Sequence, residues 1–206
     1  PENQRFLSIK AGRDFVCGIS ESKRLHCWGA FEQGQTEPPD VEGEVVDYEL
    51  GNAHACLLNS SGQVQCWGRS TEGQVDVPED LMAETFVDLD VGYYHSCGLT
   101  TEQRVYCWGT DYEGSIDAPP VLANALWTGY HHNCALNPLQ QAICWGGQSY
   151  GLSGGLVGDT FVKLALGGFH TCGVTTEQEL RCYGSDEQGQ LDPFPSESSD
   201  TAQEQL

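Results

Sequence analysis

The sequence has 206 residues, of which 30 are acidic and nine are basic, so its formal net charge is -21 and its pI is near 4.3. So acidic a surface repels nucleic-acid phosphates and anionic lipid headgroups, which excludes both as partners. No stretch reaches the length of a membrane span, and the opening residues PENQRFLSIK lack the apolar core of a signal peptide, so we expect a mature form without membrane insertion.

The first predicted elements are a strand and a β-hairpin. Leu7, Ile9 and Ala11 alternate with polar residues, which is typical of a half-buried strand. Two short apolar runs joined by a polar turn follow, and the same order recurs in HACLLNSSGQVQCWG, whose turn falls near Ser61 and Gly62. A further short run follows each Gly-Gln, as in GQVDVP, and ends at a proline. These runs predict four strands per unit, the content of a propeller blade.

This unit occurs five times along the chain. The repeats span about 6–40, 45–80, 86–120, 124–155 and 161–195, within one predicted domain of residues 1–195. Such a fixed period is typical of propellers and solenoids. Residues 196–206 are polar and unpatterned, as in a tail or linker.

Every repeat contains two cysteines ten positions apart. Residues ten apart lie opposite each other across a hairpin whose turn is midway, so we expect one disulfide within each repeat. The predicted pairs are Cys17 with Cys27, Cys56 with Cys66, Cys97 with Cys107, Cys134 with Cys144, and Cys172 with Cys182. Metal binding is the alternative, but CxxC-like clusters are absent from the sequence. Disulfides predict an oxidising compartment, so the protein is expected to be secreted or displayed at the cell surface.

The combined motif Gly-x-x-His-x-Cys, Cys-Trp-Gly and Gly-Gln resembles the repeat of the regulator of chromosome condensation (RCC1) family, in its cysteine-bearing extracellular form. It is carried by GNAHACLLNSSGQVQCWGRSTEGQVDVP, GYYHSCGLTTEQRVYCWGTDYEGSIDAP and GFHTCGVTTEQELRCYGSDEQGQLDPF. Two repeats depart from the motif: Phe15 stands where the others have His, and the fourth repeat has Pro138 in its turn.

The resemblance implies an all-β fold, a five-bladed β-propeller of four-stranded antiparallel blades with one disulfide in each. Familiar members have seven blades, so either five blades close a ring here or the chain belongs to a larger assembly. Known members include an exchange factor for a nuclear GTPase and a bacterial inhibitor of β-lactamases, which present one propeller face to a protein partner. A nuclear role conflicts with five disulfides, whereas an extracellular binding role does not.

A candidate binding face follows from the two residues between the in-phase Gly and the His position, which vary as loop residues do. We expect these loops to open at one end of the array and to bring together Tyr93, Tyr94, Tyr130, His131, Phe169 and Asp14. Exposed aromatic rings suit a protein contact or a platform for sugar rings. The alternative is that the rings fold back onto neighbouring blades. For Phe31, Tyr112 and Tyr150, in a second set of loops, packing is favoured.

Two further sets of residues repeat in phase. The histidines at 54, 95, 132 and 170 adjoin the cross-linked cysteines, which favours a structural role in which each imidazole bridges two backbone groups. The acids Glu37, Asp76, Asp117 and Asp192 could converge on a Ca²⁺ ion or point outward, and the outward arrangement is favoured. No cofactor and no metal site are therefore predicted.

No catalytic set is apparent in the sequence. Five-bladed glycosidases use an asymmetric carboxylate pair, whereas the acids here repeat in phase or lie in variable loops. We therefore predict a non-enzymatic binding module with a protein partner. A glycan-binding propeller and a structural subunit of an extracellular assembly remain the alternatives, and the oligomeric state stays open.

Overall fold

The computed structural model describes residues 4–147, 156 and 158–192, and within these ranges the protein is all-β. Five antiparallel sheets follow one another along the chain, each with its strands in chain order. We call these sheets blades 1 to 5. The predicted repeat boundaries at 148–155 and 193–195, Tyr150 and the tail 196–206 lie outside the described residues.

The fifteen described strands divide evenly among the blades. Blade 1 has β1 (Phe6–Ala11), β2 (Phe15–Ser20) and β3 (Leu25–Gly29). Blade 2 has β4 (Val45–Leu50), β5 (His54–Asn59) and β6 (Val64–Gly68), and a short 3-10 helix, Glu79–Leu81, precedes blade 3. Blade 3 has β7 (Phe86–Val91), β8 (His95–Thr100) and β9 (Val105–Gly109). Blade 4 has β10 (Ala125–Thr128), β11 (His132–Leu136) and β12 (Ala142–Gly146), and blade 5 has β13 (Phe161–Leu166), β14 (His170–Thr175) and β15 (Leu180–Gly184).

The disulfide prediction is confirmed in all five blades. The two cysteines of each pair stand directly opposite each other in the second hairpin, with Cα atoms 4.0–4.1 Å apart. Each bridge therefore joins the second and third strands of one blade. No bridge links one blade to another, so the blades are held together by packing and hydrogen bonds.

The prediction of a fourth strand is wrong for the described residues. In blade 2 the segment after Gly68 forms successive turns, closed by hydrogen bonds from Gly73 N to Ser70 O and from Asp76 N to Gly73 O. The Gln74 side chain accepts a hydrogen bond from Glu72 N within the same loop. These groups are engaged locally, and a proline follows, so the segment does not extend the ladder of the sheet.

The first strand of each blade forms the inner edge of the array. The last residues of β1, β4, β7, β10 and β13 line one common cleft of about 290 Å³. Each strand then ends at an in-phase glycine, and neighbouring blades approach most closely there. A Cβ added to Gly51, Gly92 or Gly129 would lie 2.6 Å from the carbonyl oxygen of the equivalent glycine in the next blade. Only glycine permits this spacing between blades.

The hydrophobic core lies in the seams between blades rather than within any one sheet. One cluster joins Phe15 and Cys17 of blade 1 to Tyr48, Leu57 and Trp67 of blade 2. Equivalent clusters join blade 2 to blade 3, blade 3 to blade 4, and blade 4 to blade 5. Each blade is thus stabilised by its neighbours, as in other repeat proteins.

Candidate binding surface

The candidate loops project because each is closed at its base. In every blade the in-phase glycine N–H donates to the carbonyl three residues later, for example Gly92 N to His95 O at 2.9 Å. The two residues between them are thereby pushed out at the same end of each blade. These pairs are Arg13-Asp14, Asn52-Ala53, Tyr93-Tyr94, Tyr130-His131 and Gly168-Phe169.

The predicted aromatic residues come together in one contiguous group. Tyr93 contacts Tyr94 and Tyr130, with ring centroids 4.4 and 5.0 Å apart. His131 lies 5.9 Å from Phe169 and 4.2 Å from Tyr112. We call this group the aromatic patch; it consists of Tyr93, Tyr94, Tyr112, Tyr130, His131 and Phe169.

The aromatic patch faces solvent in part. Tyr130 is 49% exposed and Tyr112 is 40% exposed, while the other four rings are half-buried. Burial lowers the pKa of His131 from its ordinary value, so this ring is neutral at neutral pH. The patch therefore offers mainly uncharged aromatic surface on a protein with a formal charge of -21.

Two arginines border the aromatic patch. Arg13 Nη1 lies 3.2 Å from the Tyr93 hydroxyl, and the Arg69 guanidinium lies 5.2 Å from the centre of the Tyr94 ring. Asp14, a predicted site residue, is exposed and forms an ion pair with Arg13, with Nε and Oδ2 3.3 Å apart. Asp14 is thus placed at the edge of the surface rather than among the rings.

Tyr112 is the member of the patch that sequence reasoning assigned to packing. It comes from the loop after Trp108 in blade 3, and it meets His131 from the first loop of blade 4. Because this contact joins two different loop sets across a seam, repeat spacing alone carries no signal for it. Phe31, in the corresponding loop of blade 1 but one position earlier in the repeat, stands 68% exposed.

Three of the four in-phase histidines, His54, His95 and His132, have a structural role, but with partners that differ from those predicted. They contact side chains of the next blade instead of two backbone groups: His54 Nε2 lies 3.1 Å from Ser96 Oγ, His95 Nε2 lies 2.7 Å from Asn133 Oδ1, and His132 Nε2 lies 2.7 Å from Thr171 Oγ1. Burial is the main cause that lowers the pKa of each of these three rings to about 4. They are therefore neutral at physiological pH.

Phe15 follows the same geometry with apolar chemistry. It begins β2 as His54 begins β5, and it shares an apolar cluster with Ala55, the blade 2 residue equivalent to Ser96 in blade 3. An apolar ring thus meets an apolar residue where the other seams pair an imidazole with a hydroxyl or amide. This match explains the departure of the first repeat from the motif.

A comparison with protein families identifies the repeat family to which the chain belongs. The family described as "Regulator of chromosome condensation (RCC1) repeat" matches residues 6–35, 45–74, 86–115 and 161–190. The chain belongs to the RCC1 repeat family. The fourth repeat, which departs from the motif in sequence, is the one without a match.

Solved structures with similar folds include RCC1-like propellers. The CRINKLY WD40 ectodomain of the Arabidopsis thaliana receptor kinase ACR4 is 27% identical with a TM-score of 0.72, over 89% of this chain and 65% of that one. The ectodomain of the Physcomitrella patens receptor kinase CR4 is 27% identical with a TM-score of 0.75, over 95% of this chain and 56% of that one. Yeast RCC1 (Prp20), solved bound to Kap60, is 18% identical with a TM-score of 0.71, over 87% of this chain and 56% of that one. This RCC1-repeat chain thus spans about three-fifths of the length of the two ectodomains. No curated protein sequence matched it.

The disulfides and the ectodomain neighbours together indicate an extracellular, oxidising location for this RCC1-repeat protein. Within the described ranges, no helix is long and apolar enough to cross a membrane.

The four in-phase acids, whose convergence on a cation was the less favoured arrangement, do not come together. Glu37, Asp76, Asp117 and Asp192 are each exposed, in turns that follow the third strand of their RCC1 blades. Among residues 4–147, 156 and 158–192, no group of three or more potential ligands is placed to hold a metal ion. These carboxylates therefore contribute to surface charge.

The sequence analysis predicted the first strands as half-buried and did not identify a group of charged residues that these strands place in the seams. Lys10 of β1 lies 2.9 Å from Asp47 and contacts Glu49 of β4. Asp90 of β7 accepts hydrogen bonds from Val91 N at 2.8 Å and from Thr128 N of blade 4 at 2.9 Å. Burial, aided by the nearby Glu49, raises the pKa of Asp90 to about 7. These groups lie in the seams, where they join adjacent blades.

Proposed function

We propose that this protein is an extracellular, non-enzymatic binding module that presents the aromatic patch to a protein partner. The observation that carries the proposal is the meeting of six rings from three neighbouring blades at one end of the array. Contiguous exposed aromatic surface on a soluble protein typically marks an interaction site.

The chemistry of the patch suits a protein interface. Aromatic side chains supply a large contact area and have few torsions to immobilise, so little conformational entropy is lost on binding. The rings already pack against one another, which fixes their positions before a partner arrives. Arg13, paired with Asp14, and Arg69, paired with Glu72, place charged groups of both signs at the border of the patch, and such charges help to orient a partner.

The structural neighbours support the same class of partner. The similar solved structures include two receptor-kinase ectodomains and yeast RCC1 bound to Kap60. Kap60 is a partner of yeast RCC1, and this complex supports protein binding as a role that the fold can serve.

A glycan is the less suitable ligand because the ring faces are partly occupied. Tyr93 and Tyr94 meet at an interplanar angle of 82°, and the Arg69 guanidinium covers the Tyr94 ring. Sugar stacking requires an open, flat face, whereas a protein side chain can insert between tilted rings.

The proposal is tested by screening the disulfide-bonded protein against displayed extracellular proteins and against a glycan array. The double variant Tyr112→Ala/Tyr130→Ala removes the two most exposed rings, and Phe31→Ala removes an exposed ring outside the patch. We expect protein binders that are retained by the wild type and by Phe31→Ala and lost by the double variant. Protein binders that bind the double variant as well as the wild type would contradict the proposal. So would a result in which only glycans bind and the double variant abolishes that binding.

A further inference from the structure

The seams between blades share a set of contacts, which shows which groups of a blade face are buried or hydrogen-bonded when a neighbouring blade is present. The indole N–H of Trp67 donates to Gln35 O at 2.9 Å, and those of Trp108 and Trp145 donate to Gln74 O and Ser115 O at 3.1 Å. In each case the tryptophan reaches back to the loop after the third strand of the preceding blade. The fourth residue of the first strand also points into this seam, as Tyr48 and Leu89 do with exposures of 1% and 2%.

Blade 1 has the same face, and no other blade among the described residues packs against it. Trp28 is 42% exposed and its indole N–H has no acceptor among the described residues, and Ile9, equivalent to Tyr48, is 64% exposed. Phe6 is also exposed, where its equivalent Phe86 is buried. This face has the form of a seam that lacks its preceding blade.

Blade 5 has the opposite face of a seam, and no further blade among residues 4–147, 156 and 158–192 covers it. Val174 is 37% exposed, whereas its equivalents Leu58 and Leu99 are both 3% exposed. Within the described ranges, the Nε2 atom of His170 has no hydrogen-bond partner, unlike those of His54, His95 and His132. A Cβ added to Gly167 would meet His170 as its three nearest atoms, without the glycine carbonyl of a further blade that the preceding glycines meet.

The two uncovered faces do not match each other. The described seams pair His with Ser, Asn or Thr, and Phe15 with Ala55. The blade 1 residue at the Ser96 position is Val16, so direct docking of blade 5 onto blade 1 would place His170 against an apolar side chain. That docking would bury His170 Nε2 without the polar partner that the Nε2 atoms of His54, His95 and His132 each have, which costs free energy. The same mismatch arises whether the two blades belong to one chain or to two copies of it.

We propose that both faces are docking sites for further blades of the RCC1 type. The blade that docks on blade 5 carries a hydroxyl or amide at the position of Ser96, so that it pairs with His170, and its tryptophan donates to the loop that contains Gln190. The blade that docks on blade 1 carries an apolar residue at the position of Phe15, so that this residue packs on Val16. The loop after its third strand provides a carbonyl oxygen that accepts a hydrogen bond from the Trp28 indole N–H. This inference concerns the seam faces and does not depend on the aromatic patch.

The test adds one blade of known sequence to the full chain. A copy of residues 79–120 is joined after residue 195, which brings the copied Ser96 to the face of blade 5. The matched control is the same extension with Ser96→Val in the copy. Two quantities are measured: hydrogen exchange at the indole N–H of the copied Trp108, and the thermal midpoint of unfolding.

We expect the copied indole to be protected from exchange and the Ser96→Val extension to unfold at a midpoint roughly 2–4 °C lower. Equal midpoints for the two extensions, or free exchange of the copied indole, would overturn the proposal. Sedimentation of the unextended chain is a second test. Self-association that is abolished by Ile9→Asp would also overturn the proposal, because the mismatched faces would then be compatible.

Discussion

At the scale of single residues, the first position of each middle strand determines the chemistry of a seam. His54, His95 and His132 each contact a polar side chain of the next blade, and Phe15 packs near Ala55 instead. The protein thus contains two working versions of the same junction, and one can be converted into the other.

We predict that His54→Phe lowers the free energy of unfolding by about 1–3 kcal/mol, because Ser96 then faces an apolar ring. Adding Ser96→Ala copies the Phe15 and Ala55 pair and should recover about 1 kcal/mol or more of that loss. Denaturant unfolding of both single variants and the double variant measures this coupling. Additive effects of the two substitutions would show that the residues do not interact.

A second residue-scale prediction concerns Asp90, whose pKa of about 7 lies far above the ordinary value of 3.8. Between these two values the folded state holds a proton that the unfolded state has lost, so stability falls as pH rises from about 4 to 7. The three seam histidines act in the opposite direction, because their pKa values near 4 make the unfolded state bind more protons between pH 4 and 6.5.

Asp90→Asn removes one of these two opposing effects. We expect the stability advantage of the wild type over Asp90→Asn to shrink between pH 4 and pH 8, by on the order of 4 kcal/mol. Unfolding curves across this range provide the measurement, with the exposed Asp111→Asn as the control. A constant difference between wild type and Asp90→Asn would mean that Asp90 stays ionised throughout.

At the scale of elements, the loop after the third strand connects neighbouring blades. Gln74 O accepts hydrogen bonds from both Trp108 Nε1 and Ser96 Oγ of blade 3. The sequence shows the Gly-Gln motif and the tryptophans in phase, but it does not show that they meet across a seam, because they lie more than 30 residues apart. Because its contacts with the next blade are not visible in the sequence, the loop that contains the Gly-Gln motif was predicted as a fourth strand.

The tryptophans provide a matched pair of variants. Trp108→Phe loses the hydrogen bond to Gln74 O and leaves a gap in a buried seam, so we expect a loss of about 2–3 kcal/mol. Trp28→Phe should cost less than about 1 kcal/mol, because Trp28 is exposed and its indole has no acceptor among the described residues. Equal losses in denaturant unfolding would show that the seam contact contributes nothing.

The disulfides also act on single elements. Each closes a loop of equal length, so in the chain-entropy model each contributes about 3 kcal/mol. We expect Cys97→Ser/Cys107→Ser and Cys172→Ser/Cys182→Ser to lower the unfolding free energy by similar amounts, although the first pair lies in a covered seam. A much larger loss for Cys97→Ser/Cys107→Ser would indicate that packing, rather than loop closure, determines the contribution of the bridge.

At the scale of the whole molecule, periodicity explains what the sequence could predict. The five units, their hairpins and the five disulfides follow from in-phase cysteines and glycines, and the structure has all of them. Contacts between blades could not be predicted from the sequence, since they depend on how far each blade is rotated from the next. The buried Asp90, the histidine partners and the place of Tyr112 in the aromatic patch all arise from that rotation.

The most direct test of the proposed function is the affinity of a recovered protein partner, measured by calorimetry for three forms of the protein. For Tyr112→Ala/Tyr130→Ala we predict an affinity about 100-fold or more below that of the wild type, because the two most exposed rings of the aromatic patch are removed. Phe31→Ala should bind within about threefold of the wild type. Unchanged affinity of the double variant, with its thermal unfolding also unchanged, would contradict binding through the aromatic patch.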